Sequence, residues 1–184
     1  MVDTEYLDKF ETQLLEQLLK LCTQYKMLGG VLLGTEDIDN HWKQLAPEYM
    51  VDAVPEIQNY PTVSVSWAGY LGMAVAMGWD SDWEIYQTFG YKQYYGSRGF
   101  DDMDENILYN MLHVEANSEE AQKIESILRR CGETAVTLIR REQIDPQTPM
   151  AFHVFARTCR TMFRIGAAIQ LNRLGYKFEK VYLN

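Results

Sequence analysis

The sequence predicts an all-α fold: a single-domain bundle of six or seven helices around a central apolar helix at about 62–78. Three observations carry that expectation. Apolar residues recur at three- and four-residue steps along most of the chain, with almost no strict alternation. The stretch "SVSWAGYLGMAVAMGWDSDWE", from Ser64 to Glu84, is nearly free of polar side chains for about four helical turns. A chain of 184 residues, 47% apolar, can bury a substantial core as one domain without disulfides or metals.

The first helix is expected over about 4–28. Leu7, Phe10, Leu14, Leu18, Leu21, Tyr25 and Leu28 form one apolar stripe, and Gly29-Gly30 ends it. Leu7, Leu14, Leu21 and Leu28 also repeat every seven, but Gln17 and Gln24 dilute the companion positions of a coiled coil. "LGTEDIDNHWKQLAPEYM" reads as a loop with one short helix. Pro47 suits the first turn of a helix reaching about residue 58. The central helix follows Asn59-Tyr60-Pro61, and Asp80 reads as the N-cap of a short helix at about 81–89. "FGYKQYYGSRGF" is a glycine-rich aromatic connector, after which Asp101 or Asp102 starts a helix to about His113.

The last two helices carry the clearest boundaries. Asn117 with Glu120 reads as a capping box, followed by an apolar face of Ile124, Ile127, Leu128, Cys131, Ala135 and Leu138. Thr148-Pro149 opens the final helix, and Gly175 stops it after about Leu174. "YKFEKVYLN" then reads as a short amphipathic extended segment.

The central helix is not expected to cross a membrane. Its seventeen residues span roughly 26 Å, marginal for a bilayer. No Lys or Arg lies between Lys43 and Lys92 to set an orientation, and the C-terminal flank is acidic. Ser64, Ala68, Gly72 and Ala76, four apart, make a shallow groove for close approach of another helix. The alternative is a ligand groove with Ser64, Ser66 and Tyr70 as polar handles.

Net charge is −9, which disfavours nucleic acid and anionic membrane as partners. Residues 1–117 hold 19 Asp/Glu against 6 Lys/Arg, a net of −13; the remainder holds 7 against 11, a net of +4. Either the two parts face each other, or the basic part meets an anionic partner. Cys22, Cys131 and Cys159 are widely spaced and odd in number, and each lies on an apolar face, so they read as buried hydrophobes in a reducing compartment. With no secretory signal at the N-terminus, a cytoplasmic location is expected.

The most specific chemical feature lies on the final helix. At about 100° per residue, His153, Arg157, Arg160 and Arg164 share a narrow arc, while Phe152, Phe155, Cys159, Met162, Phe163 and Gly166 lie opposite, toward the core. Two answers to that positive stripe are open. Carboxylates of the acidic part can pair with it, Asp80, Asp82, Asp101 and Asp102 being the candidates. A small anionic ligand can bind there, since arginine forks suit carboxylate and phosphate. Tyr91, Tyr94 and Tyr95, with Lys92 and Arg98 interleaved, form a second candidate: a rim for a ligand or a partner surface, or aromatic packing between helices.

The carboxylate groups Asp80/Asp82/Glu84 and Asp101/Asp102/Asp104/Glu105 suit helix starts, or a metal-assisted enzyme. His41, His113 and His153 are scattered and lack metal-ligand spacing, so no metal site and no cofactor is expected. No nucleophile motif, P-loop or dinucleotide fingerprint is present. The leading expectation is therefore a helical protein acting through a protein partner or self-association. The alternatives are a binder of a small anionic ligand at the Arg/His face and a metal-assisted enzyme.

Overall fold

The computed structural model describes residues 2–177. Among them the chain forms six α-helices: α1 (Thr4–Gln24), α2 (Glu36–Glu56), α3 (Pro61–Tyr86), the single-turn α4 (Met103–Glu105), α5 (Glu119–Arg141) and α6 (Pro149–Arg173). A 3-10 turn at Tyr91–Tyr94 precedes α4, and a π-helical stretch at Asn106–Met111 continues it. The described part of the protein is all-helical, and no helix in it is long and apolar enough to cross a membrane. The expected extended segment after Gly175 lies mostly outside the described residues.

Helix boundaries follow local chemistry. Asp3 caps α1 by accepting the Tyr6 N–H at 3.0 Å. The helix ends four residues earlier than the stripe predicts, because Lys26 takes a left-handed backbone at φ 62°. The Met27 N–H then bonds back to the Cys22 carbonyl and Lys26 to Thr23, a Schellman closure that needs no glycine. At α6 the same closure uses Gly175, as expected, and Thr148 caps the start by accepting the Ala151 N–H at 3.2 Å. The cap of α5 is Ser118 rather than Asn117, which itself sits at φ 63°.

Two expectations about the middle of the chain are corrected. The region read as a loop and a helix from Pro47 is one helix, α2, capped by Thr35 and continuous through Pro47. Ile38, Trp42, Leu45, Tyr49 and Ala53 bury one face straight across the proline, and that burial outweighs its missing N–H. The central helix runs to Tyr86 rather than Gly78 and breaks at Asp82, whose backbone is non-helical. Asp82, not Asp80, then accepts the Ile85 N–H as the cap of the last turn, and the Tyr86 ring folds back onto Gly78.

α3 is the axis of the bundle, with α6, α5 and α2 packed around it and α1 laid across α6 and α5. The backbones of α3 and α6 touch. A Cβ added at Gly166 would lie 1.8 Å from the Gly69 carbonyl oxygen, and one at Gly72 would lie 2.0 Å from that of Phe163. The small-residue stripe is thus used for packing, with Gly69 added to it. α5 closes the other side: a Cβ at Gly132 would meet Ser66 Oγ at 2.1 Å.

Alanine would raise helix propensity at Gly72 and Gly166 by about 1 kcal/mol. The contact reverses that sign. Gly72→Ala and Gly166→Ala are each expected to destabilise the fold by about 3 kcal/mol, read by urea denaturation. Gly29→Ala, where an added Cβ meets nothing within 4 Å, should leave the midpoint nearly unchanged.

Candidate functional site

A groove of about 1080 Å³ runs between α2 and α6, against about 360 and 290 Å³ for two hollows beside α5. Its floor is Trp42, whose ring packs on Phe163 at 4.9 Å between centroids. Ala46, Met50 and Val54 form the α2 wall, and Phe152 and Ala156 the α6 wall. The lip is apolar and open to solvent: Val51 is 73% exposed, Phe152 46% and Val54 40%. Phe152 was expected to face the core and instead lines this groove. Residues 152, 156, 160 and 164 recur every four, so one stripe of α6 carries both the apolar wall and the charged end.

Pro47 and Pro55 also line the groove. Each lacks an N–H and so withdraws the helical bond from the carbonyl four residues back, at Lys43 and Val51. Both of those residues line the groove as well.

At the other end of the groove stand Glu36, Asp39, Lys43, Arg160 and Arg164. The arginine stripe is answered mainly from α1. Arg157 Nη1 donates to Asp8 Oδ1 at 2.7 Å and to Glu11 Oε1 at 2.8 Å, while Arg160 donates to both Glu11 oxygens, at 2.9 and 2.5 Å. Glu11 is 7% exposed, so this carboxylate is held inside the bundle by two guanidinium groups. Arg164 Nε lies 3.9 Å from Asp39 Oδ2. Burial pushes the Asp39 carboxyl up despite the opposing pull of Arg164, Arg160 and Lys43. Lys43 is exposed and has no carboxylate within 4 Å among the described residues.

The partners therefore differ from those expected. Asp80 accepts the Tyr176 hydroxyl at 2.6 Å, and Asp82 caps a turn. Asp102 accepts the Arg98 N–H at 2.9 Å and the Ser97 hydroxyl at 3.0 Å, with the Arg98 guanidinium at 3.6 Å. Among the described residues no group of three or more His, Cys, Asp or Glu is placed to hold a metal ion.

The remaining candidate residues are dispersed. His153 is half-buried, edge-on to Phe152 at 5.7 Å, and does not line the groove. Tyr91 and Tyr94 are core residues rather than a rim. Tyr91 and Tyr95 both donate to Asp52 Oδ2, the former at 2.8 Å. None of Tyr94, Tyr95 and Arg98 meets the arginine stripe at the groove.

The α2 half of the groove was missed because Pro47 was read as a helix start. The apolar spacing that continues from Ile38 to Ala53 was the signal that could have found it. The three cysteines are free and buried, as expected, and the fold also brings Cys22 and Cys131 together, with their sulfurs 3.6 Å apart.

Asp104, in the second carboxylate group, is half-buried, and its pKa is pushed up to about 6 by burial, with the charges of Glu105 and Glu125 adding. The folded state therefore holds this proton more tightly than the unfolded chain. Its contribution is complete below pH 3.8 and is lost as pH rises through about 6. Asp104→Asn should match the wild type in melting temperature near pH 4 and exceed it at pH 7, as thermal melts at the two pH values would read.

No known protein family, curated protein or solved structure matches this chain.

Proposed function

We propose that the protein binds an amphipathic anion in the α2–α6 groove. The ligand's apolar body lies along Trp42, Ala46, Met50 and Ala156, and its carboxylate or phosphate lies at Lys43 and Arg160. One observation carries this reading: an apolar channel ends in a charged cluster of Glu36, Asp39, Lys43, Arg160 and Arg164, in which the exposed Lys43 has no carboxylate within 4 Å among the described residues. A concave, mainly apolar site with a few polar groups at one end is the usual form of a small-molecule site, and the volume is of that order. The ligand's tail gains by leaving water and its head by a fork or ammonium contact.

A second reading uses the same lip for contact with another protein or a second copy of the chain. The exposure of Val51, Val54 and Phe152 favours it, since three large apolar side chains share one edge. A mass that rises with protein concentration, and no longer rises in Val51→Asp, would establish that reading.

The ligand reading is tested by melting the protein with dodecanoate, acetate and dodecanol below their aggregation limits. Dodecanoate should raise the melting temperature saturably. At 100 times its dissociation constant the gain is about 2.7 kcal/mol, or several degrees for a chain of this length. Acetate should do nothing and dodecanol little. Lys43→Ala should weaken dodecanoate by about ten-fold, the value of one charge-assisted contact. No shift with dodecanoate, or an equal shift in Lys43→Ala and with dodecanol, would defeat the proposal.

A further inference from the structure

We propose that Cys22 and Cys131 form a site of reversible oxidation, closing to an intramolecular disulfide that ties α1 to α5. The two sulfurs lie in van der Waals contact at 3.6 Å, in different helices and far apart in sequence. A disulfide requires them to approach by about 1.5 Å more, since its sulfurs sit roughly 2.05 Å apart. Both side chains are fully buried, so the reaction waits on a local opening.

The fold says which side opens. Cys131 is followed by Gly132, where α5 meets α3 with no room for a Cβ, so this helix is pinned. Cys22 lies in the last turn of α1, and its carbonyl accepts the Met27 and Leu28 N–H groups of the Schellman closure. Unwinding that one turn frees Cys22 while the bundle stays closed. The hollows on either side share one lining residue, Arg130, which stacks over the Tyr25 ring at 4.9 Å. The contact with Cys22, and then burial, hold the Cys131 thiol well above its usual range, so in the closed bundle Cys131 keeps its proton.

The oxidant is a low-molecular-weight disulfide. Once α1 opens, Cys22 loses its proton and attacks one sulfur of the oxidant, whose S–S bond breaks and releases one thiol. Cys131 then loses its proton and attacks the Cys22 sulfur of the mixed disulfide, expelling the second thiol. Two protein thiols are oxidised by two electrons, and the oxidant is reduced to two thiols. Excess thiol reverses both steps. Cys159 stays out of the reaction: it is fully buried in α6, 3.9 Å from the Ser64 carbonyl oxygen.

The test is to incubate the folded protein with oxidised glutathione, quench in acid, unfold, alkylate and map the peptides. Incubation is run in buffer and again in urea just below the unfolding transition. The expected product carries one alkylated cysteine, Cys159, and a peptide cross-link between Cys22 and Cys131. Dithiothreitol should restore three alkylated cysteines. Cys159→Ser should give the same cross-link, and Cys22→Ser should give none. Three alkylated cysteines under both conditions, a cross-link through Cys159, or disulfide-linked dimers would overturn the proposal.

Discussion

The bundle depends on the backbone contact between α3 and α6. Gly69, Gly72 and Gly166 remove the side chains that would hold two helices apart. The pair can then pack closely, and Leu71, Met73 and Val75 of α3 and Phe163, Ile165 and Ile169 of α6 are all fully buried. Dispersion and burial across such a contact are large in sum because no space is left for water. The remaining helices are arranged around this pair. α5 closes on α3 at Gly132, α1 lies across α6 and α5, and α2 packs against both α3 and α6.

The same constraint produces the groove. α6 is fixed on its inner face by the glycine contact and on its outer face by the ion pairs of Arg157 and Arg160 with Glu11. α2 is fixed by Tyr49, whose hydroxyl donates to the Ser64 carbonyl at 2.7 Å, and by Asp52, which accepts from Tyr91 and Tyr95. With both walls held elsewhere, the strip between them stays open and apolar. The negative first part and positive last part of the sequence meet here as well. Glu11, Asp8 and Asp39 neutralise most of the arginine stripe, and Lys43 adds a cation at the groove's charged end.

Much of the fold was legible in the sequence, for identifiable reasons. α1, α5 and α6 show amphipathic spacing, and Thr148-Pro149 and Gly175 mark ends by chemistry that tertiary contacts do not change. Where packing overrides local preference, sequence alone misled. Pro47 is tolerated inside α2 because five side chains bury across it. Lys26 ends α1 in a left-handed conformation usually left to glycine. Asp82 breaks α3 at a place where only the fold-back of Tyr86 onto Gly78 gives a reason. The site was half legible: the arginine arc is visible on a helical wheel, but its partners on α1 and its apolar neighbours on α2 depend on which helices adjoin. Cys22 and Cys131 were out of reach for the same reason, since their contact exists only in three dimensions.

The central claim is that one groove, held open by helices fixed elsewhere, receives an apolar body with an anionic head. The most direct measurement is a dodecanoate titration followed by amide chemical shifts over the assigned backbone. The account predicts saturable shifts along α2 from Asp39 to Pro55 and along α6 from Phe152 to Arg164. It also predicts that the α5 face around Glu133 and Thr137 stays still. Shifts centred on α5, or small shifts spread over all helices without saturation, would contradict it.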